Sequence, residues 1–134
     1  MPLVRISLRE GKSAAYRRAI ADGVHEAMLV TINVPAADRF QVVTEHGADG
    51  LLYDPGYLGI KRTDDVVLIQ VTLNQGRSLE LKKAFYARVA ANLAKSPGLC
   101  KEDVSSTSWR YRRRTGRSET AKRSTRNQDG SFST

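Results

Sequence analysis

Met1-Pro2-Leu3-Val4-Arg5-Ile6 carries the chemistry this chain offers most plainly. Removal of the initiator Met before a small second residue leaves Pro2 as the amino terminus. Its nitrogen is then a secondary amine rather than an amide, able to take up and release a proton or to carry charge at a substrate. The alternation of Leu3-Val4-Arg5-Ile6-Ser7-Leu8 predicts a strand, which would hold that amine at the end of a sheet. In an apolar setting the charged form is disfavoured, so the pKa falls from the ordinary α-amino range of about 7.7–8.0 toward the pH of a cell. The plainer reading is that Pro2 is only the residue that follows Met.

A 134-residue chain is one domain, large enough for a two-layer core and small enough to gain from oligomerisation. No stretch is apolar enough to span a membrane, and Arg5, Arg9, Glu10 and Lys12 interrupt any N-terminal signal region, so the expectation is a cytoplasmic protein. A single cysteine, Cys100, excludes an intramolecular disulfide and, without a His cluster, argues against zinc. His25 and His46 read as a helix-flank residue and a strand-end residue.

The net charge of +8 is uneven: residues 105–134 hold eight Lys or Arg against two acids, a net of +6, and contain no Val, Leu, Ile or Met. That segment cannot build a core, whereas residues 1–104 can. The expected division is a folded domain over 1–104 and a basic polar tail over 105–134.

The folded domain is predicted to consist of a pair of similar halves. Ser13 caps a helix with its apolar stripe at Tyr16, Ile20, Val24 and Met28; Asn33-Val34-Pro35 stops it, and Arg39–Glu45 has the β-branched alternation of a second strand. After a Gly- and Pro-bearing loop over 47–59, Asp65–Leu73 is an almost continuous apolar run, expected to be a central strand buried on both faces. Ser78 caps a second helix with stripe Leu81, Phe85, Val89 and Leu93, ending near Ser96-Pro97-Gly98, and Asp103-Val104 would open a fourth strand. A helix of about twenty residues between two strands gives a right-handed parallel crossover. The fold class is therefore α/β (α+β): duplicated β-α-β units forming a four-stranded sheet with both helices on one face. The other face is left for a second subunit to cover.

Met-Pro-Leu at the start, this duplicated plan, Val34–Gln41 (VPAADRFQ), Tyr53–Ile60 (YDPGYLGI) and Gln75-Gly76-Arg77-Ser78 together resemble the tautomerase superfamily over residues 2–104, nearest to its malonate semialdehyde decarboxylase branch. The resemblance implies a trimer with no cofactor, acting on small 2-oxo acids or related carboxylates, with Pro2 as the catalytic N-terminal proline. It implies a catalytic role for Asp38, which otherwise reads as a turn carboxylate after Pro35. It makes Arg77 a binder of the substrate carboxylate. A cation just before the Ser78 helix start costs about 0.3–1 kcal/mol against the helix dipole, a placement that makes sense where an anion binds. Arg77 matches the second of the branch's two arginines, and the first is replaced here by Gln75 or Asn74, which favours enol–keto proton transfer over decarboxylation, the alternative activity.

The tail departs from the resemblance. Family members continue after Asp-Val with a hydrophobic strand and an aromatic segment, whereas this chain reads SSTSWRYRRRTGRSETAKRSTR. Removing one base after the Val104 codon from a GC-rich, family-like coding string yields this series, so residues 105–134 are expected to be a frameshift product. An open edge after the strand ending near Leu73 and a weakened trimer would follow. The competing account is a basic arm for nucleic acid, with Trp109 and Tyr111 among Arg110, Arg112, Arg113 and Arg114.

Overall fold

The computed structural model describes residues 2–74 and 78–111. Four strands, β1 (Leu3–Arg9), β2 (Gln41–His46), β3 (Val67–Asn74) and β4 (Val104–Tyr111), form one sheet in the order β2-β1-β3-β4. β1 and β2 are parallel with Val4 opposite Gln41; β3 and β4 are parallel with Val67 opposite Val104; β1 and β3 are antiparallel with Leu3 opposite Thr72. Each parallel pair is bridged by a helix, α1 (Ala14–Ile32) or α2 (Leu79–Lys95), and so forms one of the two expected β-α-β halves.

Both helices start as their sequences dictate. The Ser13 hydroxyl accepts from the Tyr16 N–H at 3.1 Å and the Ser78 hydroxyl from the Leu81 N–H at 3.2 Å, each cap worth about 1 kcal/mol. α1 ends at Asn33, in the left-handed conformation (φ 55°), with its N–H bonded to the Met28 carbonyl, a position an Asn tolerates well. Ile20, Val24, Ala27 and Met28 of α1 and Phe85, Val89 and Leu93 of α2 pack on Val4, Ile6 and Leu8 of β1 and Val67, Ile69, Val71 and Leu73 of β3. The helices approach closely where Gly23 faces Leu93, whose methyl would lie 3.0 Å from a Cβ at position 23. Asn92 Nδ2 donates to the Gly23 carbonyl there at 2.9 Å. Among the described residues no helix is long and apolar enough to cross a membrane.

Two expectations are corrected. β3 is central but buried on one face only: Val67, Ile69, Val71 and Leu73 are buried, whereas Leu68 is 39% exposed and Gln70 is exposed. The apolar run reads as doubly buried because Val66, Leu68 and the core residues fall in sequence, yet among the described residues no second layer lies on the far side. The second correction concerns the fourth strand, which is not lost at the composition break. β4 continues past Val104 through Ser105–Tyr111 in parallel register with the whole of β3, so the expected open edge after Leu73 is absent among the described residues. Strand pairing uses backbone groups that Ser and Thr possess as fully as Val does, and a strand at the margin of the sheet need not bring a large apolar face. The rest of the tail, 112–134, lies outside the described residues, and with it most of the expected basic arm.

Candidate active site

Pro2 is buried at the start of β1. The parallel partner β2 begins at the same end of the sheet, so the segment that leads into it, Pro35–Phe40, enters at the Pro2 end. The Val4 N–H donates to the Phe40 carbonyl at 3.0 Å. Pro2 and Asp38 are each two residues upstream of that one hydrogen bond. β3 runs antiparallel to β1 and ends at this same edge with Asn74, opposite Tyr111 of β4. Gln75 and Arg77, the expected carboxylate binders, lie outside the described residues.

The segment that bears Asp38 is pinned along its length. The Asp38 N–H closes a turn onto the Pro35 carbonyl at 2.9 Å, and His25 Nε2 hydrogen-bonds the Ala36 carbonyl at 3.1 Å. Arg39 donates through Nη2 to Asp22 Oδ1 at 2.7 Å and through Nε to Gln41 Oε1 at 2.8 Å; Gln41 Nε2 in turn donates to the Ala21 carbonyl at 2.9 Å. Arg18 shares Asp22 Oδ1 at 3.3 Å. The hydrogen bond from Arg39, with the charges of Arg39 and Arg18 behind it, holds the Asp22 carboxyl below its ordinary 3.8. Asp38 itself is half-buried, and among the described residues its carboxylate makes no hydrogen bond or ion pair.

Pro2 and Asp38 stand out in the sequence alone, whereas Asp22 and Gln41 do not. Arg39 sits in the quoted motif, while its partner Asp22 lies 17 residues earlier on α1, at a spacing with no local signature. His25 and His46 take the expected structural places, on α1 and at the end of β2. Among the described residues no group of three or more His, Cys, Asp or Glu could hold a metal ion.

The Tyr53–Ile60 motif lies at the opposite end of the sheet, about 20 Å from Pro2 by the length of β1. There the Tyr53 hydroxyl donates to Asp64 at 2.7 Å, and Arg9 donates to Asp64 at 3.1 Å and to the Leu51 carbonyl at 3.1 Å. The Arg9 guanidinium also stands 5.3 Å from the Tyr53 ring centroid. The motif thus staples a loop to the end of β1 and brings no group to Pro2.

Comparison with known proteins agrees with this architecture. Two family models, each described as a tautomerase enzyme, match residues 38–107 and 2–60. A probable tautomerase of Bacillus subtilis, YusQ, is 40% identical over 104 residues, covering 78% of this chain and 82% of its own. The solved structure of FG41 malonate semialdehyde decarboxylase inhibited by 3-bromopropiolate is 34% identical, with a TM-score of 0.77 over 86% of this chain and 89% of that one. A fused 4-OT symmetric trimer, 23% identical, shares the fold at a TM-score of 0.68 over 82% and 85%. With family models spanning both halves and a curated relative matched over most of either chain, this chain belongs to the tautomerase family and is an enzyme of that superfamily.

Proposed function

We propose that the mature enzyme begins at Pro2 and moves a proton between oxygen and carbon of a small 2-oxo acid. The neutral proline amine takes the enol hydroxyl proton, and the resulting ammonium returns it to the adjacent vinylic carbon, giving the keto acid with nothing else consumed. No cofactor is needed for such a transfer. Asp38 places the proton or a water at the amine, and Arg77, with Gln75 beside it, anchors the substrate carboxylate. The observation that carries the reading is the buried Pro2 at one sheet end, with Asp38 in the segment entering the neighbouring strand at that end, half-buried and with no partner for its carboxylate among the described residues. Loss of the Arg77 guanidinium should raise KM by a factor equivalent to about 1.5–3 kcal/mol, the worth of a hydrogen bond to a charged group.

The 34% identity to a malonate semialdehyde decarboxylase supports a second reading, in which a cationic proline polarises the carbonyl of a 3-oxo acid and carbon dioxide leaves. One arginine with an amide in place of a second cation makes this the weaker reaction here. We also infer that the chain assembles as a trimer, as the fused 4-OT relative does: the sheet face away from the helices exposes Val42 and Leu68, and no element of the described chain covers it. Turnover of phenylpyruvate-type enols and of malonate semialdehyde, by wild type and Pro2→Ala, tests the assignment. Enol turnover lost in the variant upholds it; undiminished turnover overturns it.

A further inference from the structure

We propose that Asp22 is a positioning residue that holds the Arg39 guanidinium away from Asp38, leaving the Asp38 carboxylate uncommitted for the reaction at Pro2. The inference rests on the roles proposed for Pro2 and Asp38 and extends them to groups on α1.

An aspartate followed directly by an arginine at the edge of a site invites a local ion pair, and such a pair would take Asp38 out of the chemistry. In this chain the pair does not form. Arg39 commits Nη2 to Asp22 of α1 at 2.7 Å and Nε to Gln41 of β2 at 2.8 Å. Gln41 is itself fixed to α1 through the Ala21 carbonyl. Asp22 is well suited to capture the guanidinium. It lies on a regular turn of α1, its ionised form is favoured by Arg18 four residues earlier, and its side chain is 54% exposed, so the pair forms without burying a charge. The exposed pair adds little stability, about 0–1 kcal/mol, so stability gives a weak reason for this placement. Its consequence is electrostatic. With Arg39 neutralised, the Asp38 carboxylate keeps its lone pairs for a proton, a water or the Pro2 amine. Released from Asp22, the Arg39 guanidinium, on the residue next to Asp38, would have its Nη2 free to turn to the Asp38 carboxylate.

Four variants separate this role from a structural one: Asp22→Asn, Arg39→Gln, the two combined, and Asp38→Asn, each measured for kcat and KM on the enol substrate and for melting temperature. Asp22→Asn should lower kcat about 10- to 100-fold, the size of a diverted charged hydrogen bond, with KM within about twofold. Asp22→Glu, which keeps the carboxylate, should stay near wild type. Arg39→Gln leaves no guanidinium to capture and should stay within about threefold, and adding it to Asp22→Asn should restore kcat. A double variant as slow as Asp22→Asn, or an Asp22→Asn enzyme as fast as wild type, overturns the inference even where Asp38→Asn is impaired. Should Asp22→Asn fail to fold, Arg39→Gln decides: near-wild-type kcat supports the inference and a loss as large as that of Asp38→Asn overturns it. Wild-type turnover in Asp38→Asn overturns the catalytic role of Asp38 and this inference with it.

Discussion

In the first half of the molecule the outer strand β2 and the segment leading into it are tied to the helix by side chains: Gln41 to Ala21, Arg39 to Asp22, and Arg17 to Glu45 at 3.1 Å. In the second half the outer strand β4 is held by its backbone ladder to β3 and, at its start, by Asp103. That carboxylate is 3% exposed and accepts from the Thr63 N–H at 2.6 Å and the Thr63 hydroxyl at 2.8 Å. Each half thus has one aspartate just before its outer strand, in opposite circumstances. Asp103 is buried with its partners supplied, at the end of the sheet remote from Pro2. Asp38 is half-buried with a carboxylate that takes no partner among the described residues, at the Pro2 end. The contrast teaches that bonding is concentrated around the Asp38 segment while its side chain is left out of the bonding among the described residues, the arrangement that the role proposed for Asp38 requires.

The largest effect expected is on Pro2. Pro2→Ala should cost about 10²–10⁴ in turnover, the usual contribution of a positioned acid or base, while the urea midpoint stays near wild type. A parallel fall in stability would make Pro2 a packing residue and break the contrast. Next come the two aspartates. Asp103→Ala leaves the Thr63 donors without their partner and should lose about 1.5–3 kcal/mol in chemical denaturation, with kcat unaltered among folded molecules. Asp38→Asn should do the reverse, cutting kcat with stability inside about 0.5 kcal/mol.

The helix caps come after these. Ser13→Ala and Ser78→Ala should each cost about 1 kcal/mol, equally in the two halves, because both hydroxyls accept the same bond from the third residue on. Smallest is the acid response. Asp22, through Arg39, and Glu26, through Arg88 and then Asn92, have carboxyls below their ordinary 3.8 and 4.5. A depressed folded-state pKa gives stability that is present above the unfolded value and lost as pH falls through the folded one. Stability should therefore decline on acidification below the ordinary carboxylate range, and Asp22→Asn and Glu26→Gln should flatten that limb by about 0.2–1 kcal/mol each, the worth of exposed pairs. Thermal melts across that range check it.

Much of this architecture is legible in the residues. The stripes at Ile20, Val24 and Met28 and at Phe85, Val89 and Leu93, with a Ser before each helix, fix α1 and α2 because burial and capping leave local patterns. The strand over Ser105–Tyr111 is not legible, since pairing through the backbone leaves no apolar alternation in the sequence. Leu68 misleads in the opposite sense: an aliphatic residue in a strand announces burial whether or not a second layer exists in the same chain. Pro2 and Asp38 stand out as candidates because they lie in short motifs. The Asp22 clamp on Arg39 cannot, because it joins a helix surface to a distant turn.

The most direct measurement is a titration of the Pro2 amine, by nitrogen-15 NMR on proline-labelled enzyme, set beside the pH dependence of kcat/KM for the enol substrate. The account predicts that Met1 is absent, that the amine titrates below the ordinary α-amino range of about 7.7–8.0, and that the rate rises with the same pKa. An enzyme that turns over with Met1 retained, or a rate profile unrelated to the titration of Pro2, would contradict it.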